Sequence, residues 1–138
     1  MIGILVVSHG NFAESIIHCA CHVMTNKPSR LMHLTVSNQD DPHVVQERVN
    51  ELIKGLDAGA GVLIMTDIYG ATPSNIVNRV LVPGKVEGVA GVNLPMLIRA
   101  LTYRDQPLAT VLEKALSGGR DGVFIMPTES RQNATPGR

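Results

Sequence analysis

The sequence contains no tryptophan, and phenylalanine and tyrosine contribute only 2 residues each. That scarcity weighs against a base-stacking nucleic-acid platform and against an aromatic-walled flavin site. An excess of one charge is missing too. The 12 Lys+Arg residues balance the 12 Asp+Glu residues, for a formal net charge of zero. A basic footprint for nucleic acid is therefore not expected. The longest apolar runs are too short to span a bilayer, so direct membrane insertion is not expected either. The first residues resemble a core strand and not a signal peptide, because a short apolar run stands there without a basic leader. Cys19 and Cys21 are the only cysteines. Two residues apart on a helix, they point in different directions and make a poor disulfide pair. A reducing cytoplasm is the simplest setting.

What is present is organised around Ile2-Gly-Ile-Leu-Val-Val-Ser8-His9-Gly10. The apolar run reads as a strand buried on both faces, the kind found at the centre of a parallel sheet. Ser8, His9 and Gly10 fall at its carboxyl end, where open α/β sheets place their sites. A histidine there can act on a ligand, and Gly10 lets the backbone come close. At 138 residues the chain is long enough for one domain with a real core. That domain is expected over residues 1–127. Residues 128–138 are polar, lack an apolar period, and are expected to form a loose tail.

Along the chain, strands alternate with helices. Asn11 can cap a helix to about Met24, with Phe12, Ile16, Ala20 and Val23 inward and His18 and His22 on the opposite, solvated face. Arg30 to Val36 reads as a second strand that carries His33. Asp41 and Pro42 open a helix with Val45, Val49, Leu52 and Leu56 inward, and His43 in its first turn. Val62 to Thr66 is a third apolar strand. It runs into Asp67-Ile-Tyr-Gly70-Ala-Thr72-Pro73-Ser74-Asn75, where Thr72 is a cap candidate and a helix continues to Leu81. The free amides at that helix start, with Gly70 giving backbone access, make an anion site in principle. Val86 to Val92 is a fourth strand, and Asn93 opens a helix through Leu101. Leu108 to Ala115 forms another helix, ending at Gly118-Gly119. Asp121 to Met126 reads as a last strand.

This alternation predicts an α/β fold: a doubly wound, mostly parallel open sheet with helices on both faces. If the strand order is 2-1-3-4, the first and third strands are neighbours and their helices leave on opposite faces. His9 and Asp67 then share one crevice. Asp67 can accept a hydrogen bond from one ring nitrogen and leave the other free as a nucleophile or base. Beside a helix amino terminus, that pairing suits phosphohistidine chemistry. Acyl transfer through Ser8 or Ser74 fits less well, because neither stands in a Gly-x-Ser-x-Gly turn. The phosphate loop of nucleotide hydrolases is missing.

Three segments together, Ile4-Leu-Val-Val-Ser-His-Gly10, Asp67 to Asn75, and Gly91-Val-Asn-Leu-Pro-Met-Leu97, resemble the enzyme IIA component of the mannose family of the bacterial sugar phosphotransferase system. The resemblance runs from Met1 to about Met126. It implies a phosphotransferase component (EC 2.7.1 type) that works without a cofactor or a metal. His9 would accept a phosphoryl group from phospho-HPr and pass it to a IIB-type partner, in sugar uptake or in a regulatory relay. Asp67 matches the carboxylate that orients the histidine, and Gly70, Thr72 and Ser74, with Gly10, match the phosphate side. The implied fold is a parallel 2-1-3-4 sheet whose last, antiparallel strand is exchanged within a homodimer.

Two departures stand out. Ala71 replaces the second glycine of the frequent Gly-Gly-Thr-Pro form, which narrows the loop by a methyl. The sequence also ends soon after the last strand, so a separate IIB-type acceptor is expected. Two other readings compete. One is a regulatory binding module whose partner reads the phosphorylation state. The other is a small tetrapyrrole metal chelatase, which needs His33 or His43 to face His9 and leaves Asp67 to Asn75 and Asn93 to Met96 unexplained.

Overall fold

The computed structural model describes residues 1–129. The elements run β1 (Gly3–His9), α1 (Phe12–Met24), β2 (Leu31–Val36), α2 (Pro42–Leu56), β3 (Val62–Thr66), α3 (Thr72–Asn78), β4 (Val86–Ala90), α4 (Leu94–Tyr103) and α5 (Leu108–Asp121). The four strands form one sheet in the order β2-β1-β3-β4, and every pairing is parallel. The expected 2-1-3-4 order is observed.

Strand period accounts for the layers. Ile4 and Val6 join one apolar cluster with α1, α4 and α5. Leu5 and Val7 join the other, with α2 and α3. All four are 0% exposed. Burying each such side chain stabilises the fold by about 1.5–3 kcal/mol, so β1 is anchored from both sides and its carboxyl end is held in place. The close packing extends to the backbone. A Cβ on Gly3 would lie 2.7 Å from the carbonyl oxygen of Leu56, which is why glycine interrupts the apolar run.

Several local expectations need correction. Phe12 and Val23 are exposed, and Ala13 is buried in their place beside Ile16 and Ala20. The stripe is rotated because α1 rests on the sheet through its small residues. Asn11 makes no side-chain cap. The hydroxyl of Ser8 accepts from the backbone N–H of Ala13 at 2.8 Å instead. Helix α3 stops at Asn78, short of Leu81.

The largest correction concerns the carboxyl end. Helix α5 does not end at Gly118-Gly119 but continues to Asp121. The two glycines are a contact surface. A Cβ on Gly118 would lie 2.8 Å from Cβ of Arg99, and one on Gly119 would lie 2.8 Å from Cε of Met96. They let α5 lie close against α4. Asp121 therefore belongs to α5 and not to the expected last strand, and residues 123–128 have no regular secondary structure within the single chain. Val123, Phe124, Ile125 and Met126 are all exposed. Helix α5 takes Asp121, the first residue of the expected strand, into its last turn. The tail expected over 128–138 lies, from residue 130 on, outside the described residues.

Gly118→Ala distinguishes a helix terminator from a packing contact. Helix propensity alone favours alanine by about 1 kcal/mol, whereas overpacking costs about 1–3 kcal/mol. Because Pro95's carbonyl oxygen also lies 3.1 Å from the added methyl, packing should win. A net loss of roughly 1 kcal/mol or more is expected in urea unfolding.

Candidate functional site

The site follows from the register of two strands. Val7 of β1 is paired with Thr66, the last residue of β3, and β1 runs two residues further beside β2, to His9 opposite Val36. Helix α1 then crosses one face and α3 the other, opening a crevice between the strand ends. His9 is the last residue of β1, and Asp67 immediately follows β3.

One carboxylate oxygen holds the histidine twice. Asp67 Oδ2 accepts from the backbone N–H of His9 at 3.0 Å and lies 2.7 Å from ring Nδ1. Its other oxygen, Oδ1, accepts from the backbone N–H of Ile68 at 2.9 Å. Burial on its own raises the Asp67 carboxyl. The hydrogen bonds from the His9 backbone, the His9 ring and Ile68 outweigh it and leave the pKa below the ordinary carboxylate value. An ionised carboxylate only accepts hydrogen bonds, so Nδ1 must carry the proton. Nε2 is then the nitrogen with the free lone pair. The His9 side chain is 41% exposed and that of Asp67 15%, which places the acceptor inside and leaves the imidazole open to an incoming group.

Gly10 turns the chain away with φ +50°, a left-handed conformation that suits glycine, and a Cβ there would meet nothing within 4 Å. The need is conformational. Ser8 is 0% exposed. Its oxygen caps α1 and its hydroxyl points to the His9 carbonyl at 3.2 Å. It fixes the turn and is not placed as a nucleophile.

The segment after Asp67 is a compact loop. Gly70 has φ +86°, and its N–H donates to Ser74 Oγ at 2.8 Å. The Ser74 hydroxyl donates to the Ala71 carbonyl at 3.0 Å. Ser74 is only 3% exposed, so it closes the loop from inside. Thr72 begins α3 as its first helical residue, with Ala71 at the cap and no side-chain cap bond. Ala71 has φ −99° and ψ 176°, an extended conformation open to any L-residue. Replacing a glycine there therefore introduces no backbone strain. The loop-closing role of Ser74 was not read from the sequence. Its signal is a serine three residues after the carbonyl it bonds, as in other side-chain-closed turns.

Asn93 caps α4, accepting from Met96 N–H at 3.0 Å while its amide donates to the Gly119 carbonyl at 3.0 Å. The third motif is thus a clasp between α4 and α5. His33 is paired with Val6, three residues before His9, and His43 lies in the first turn of α2. His18 and His22 are exposed on α1. Among the described residues, no group of three or more His, Cys, Asp and Glu is arranged to hold a metal ion.

The family described as EIIA-man, PTS system fructose IIA component, matches residues 3–116. The PTS system mannose-specific EIIAB component of Escherichia coli (strain K12) is 28% identical over 138 residues, covering 98% of this chain and 42% of that protein. The chain therefore spans about two fifths of that relative's length. The PTS system fructose-specific EIIA component of Bacillus subtilis is 24% identical over 106 residues, 76% of this chain and 72% of the relative. Among solved structures, the PTS IIA protein associated with the fucose utilization operon from Streptococcus pneumoniae superposes with a TM-score of 0.77 at 25% identity, covering 96% of each chain. EIIA from Streptococcus agalactiae, at 21% identity, shares the fold with a TM-score of 0.80 over 91% of this chain and 97% of that one.

The geometry makes two measurable statements about the pair. Neutral His9 should be protonated on Nδ1, giving a ¹⁵N spectrum with an unprotonated Nε2, and Asp67→Asn should weaken that preference. Because the folded-state pKa of Asp67 is lowered, its contribution to folding is fully present above the unfolded value of about 3.9. That contribution is lost as pH falls through the lower folded value. The stability difference between wild type and Asp67→Asn, from urea unfolding, should shrink as pH drops below about 4.

Proposed function

This chain belongs to the EIIA-man family of phosphotransferase-system IIA components, and from that premise we propose that it carries a phosphoryl group on Nε2 of His9. The observation that supports this most directly is Asp67 Oδ2, which takes both the backbone N–H and Nδ1 of His9. It leaves one nucleophilic nitrogen, aimed and exposed.

In the proposed reaction the Nε2 lone pair attacks the phosphorus of a phosphohistidine on an HPr-type donor. The P–N bond to the donor breaks and its electron pair returns to the donor imidazole. A new P–Nε2 bond forms, while the Nδ1 proton stays on His9. The ring gains positive character during attack, and the Asp67 charge stabilises it. Reversing the same steps hands the group to a histidine or cysteine of a IIB-type acceptor. Gly10, Gly70 and Thr72 form the phosphate side: the glycines allow close approach, and Thr72 opens α3 with a backbone amide that no earlier turn of the helix uses. Ser74 acts from beneath, holding Gly70 in place. Among the described residues no helix is long and apolar enough to cross a membrane.

The exposed stretch Val123 to Met126 belongs to the same proposal. Its residues favour strands, and β4 is the outermost strand on its side of the sheet. We read it as a strand completed by a second copy of the chain, within a single IIA unit over residues 1–127 that forms a homodimer.

Three outcomes test this reading. His9→Ala should abolish acid-labile phosphate after incubation with phosphoenolpyruvate, enzyme I and HPr. Asp67→Asn should remain folded and slow transfer from phospho-HPr by about ten- to a thousandfold, equivalent to roughly 1.4–4 kcal/mol of barrier. Transfer at the wild-type rate would remove Asp67 from the mechanism. Sedimentation should show a dimer at micromolar concentration, and deletion from Gly122 onward should give a monomer.

A further inference from the structure

A second polar feature lies directly beneath the loop, and nothing in the phosphoryl chemistry uses it. Thr66 ends β3, and the period of the strand puts its side chain on the α3 side with Val62 and Ile64, both in that apolar cluster. Thr66 is 2% exposed. Among the described residues, its Oγ1 has no hydrogen-bond partner. Valine has the same shape and would fill the position without that cost, so a buried hydroxyl here calls for a partner.

The space for one is present. A cavity of about 50 Å³ is lined by Thr66, Tyr69, Ser74, Val77, Asn78 and Ala90, among others. A water needs on the order of 10–15 Å³ of such space and two to four polar neighbours. Thr66 offers a donor and an acceptor. Ser74 Oγ accepts from Gly70 and donates to Ala71, which leaves it one lone pair. The Asn78 amide offers both kinds of group.

We infer that this cavity holds an ordered water bound by Thr66 Oγ1 and bridging to the α3 side, which makes Thr66 a positioning residue for the loop over residues 67–74. Thr66 already pins the neighbouring connection. Its carbonyl accepts from the N–H groups of both Gly91 and Val92 at 3.0 Å. The water extends that anchorage from the β4–α4 connection to the serine that closes the loop. The loop is then held from both its ends and its underside, with Gly70 and Thr72 fixed relative to His9. The kinetic consequence rests on the proposed role of His9; the occupancy of the cavity does not.

The test compares wild type with Thr66→Val and Thr66→Ser. High-resolution crystal structures should show a water within hydrogen-bonding distance of the residue 66 hydroxyl in wild type and Thr66→Ser, and none in Thr66→Val. Transfer from phospho-HPr should fall about tenfold in Thr66→Val through displacement of the loop, and stay within about twofold of wild type in Thr66→Ser. The His9 tautomer should be unchanged in both. A dry cavity in wild type overturns the inference. So does a hydrated wild type whose Thr66→Val variant transfers at the full rate. If wild type itself accepts no phosphate, the fault lies with the His9 reading, and the crystallographic comparison still decides the water site. If Thr66→Val does not fold, wild type and Thr66→Ser decide it.

Discussion

One oxygen atom carries the organisation of the site. Asp67 Oδ2 receives two donors from the same residue, the backbone and the ring of His9. A carboxylate can do so because the two strand ends are adjacent, with Asp67 following β3 where β1 reaches His9. The parallel register of β1 and β3 supplies that condition, and the two apolar clusters pressed on either side of β1 maintain it. The backbone bond places the residue and the ring bond selects its tautomer. The tautomer choice depends on Asp67 being ionised, and the hydrogen bonds it receives keep it so against the effect of burial.

Around that oxygen, small polar residues do mechanical work. Ser8 and Ser74 are both almost fully buried, and each uses its oxygen to close a turn on one side of the crevice. Neither reaches outward. The His9 side chain, by contrast, is 41% exposed. Ala71 fits the same pattern. Its extended backbone makes the methyl a tolerable replacement for glycine, whereas Gly10 and Gly70, with φ of +50° and +86°, occupy conformations that a side chain strains.

Much of this was legible in the sequence. The apolar runs of β1 and β3 announced two-sided burial, and Asp41-Pro42 and Asn93-Leu-Pro gave helix starts that hold in the structure. The strand order, and with it the meeting of His9 and Asp67, was available as a condition and through family resemblance. What escaped was set by tertiary contact. Phe12 has helical spacing with Ile16, yet it lies on the open side because Ala13 meets the sheet. The cap of α1 comes from Ser8, across the turn, so a search at the helix boundary finds Asn11 instead. Gly118-Gly119 has the local look of a terminator. Only the proximity of Arg99 and Met96 reveals it as a place where two helices touch.

That glycine pair bears on how the molecule opens. Glycine in a helix interior costs about 1 kcal/mol relative to alanine, so α5 contains, near its end, two residues that favour the coil. What offsets them is the face of α4 lying against them and the Asn93 amide on the Gly119 carbonyl. The last turns of α5 therefore have little stability of their own. If α4 lifts, they lose their support, and if they fray, α4 loses the clasp on its cap. The two helices are therefore expected to unfold as one cooperative unit. Amides of Met96 and of residues near 119 should then exchange with solvent through a shared opening, although more than 20 residues of sequence separate them.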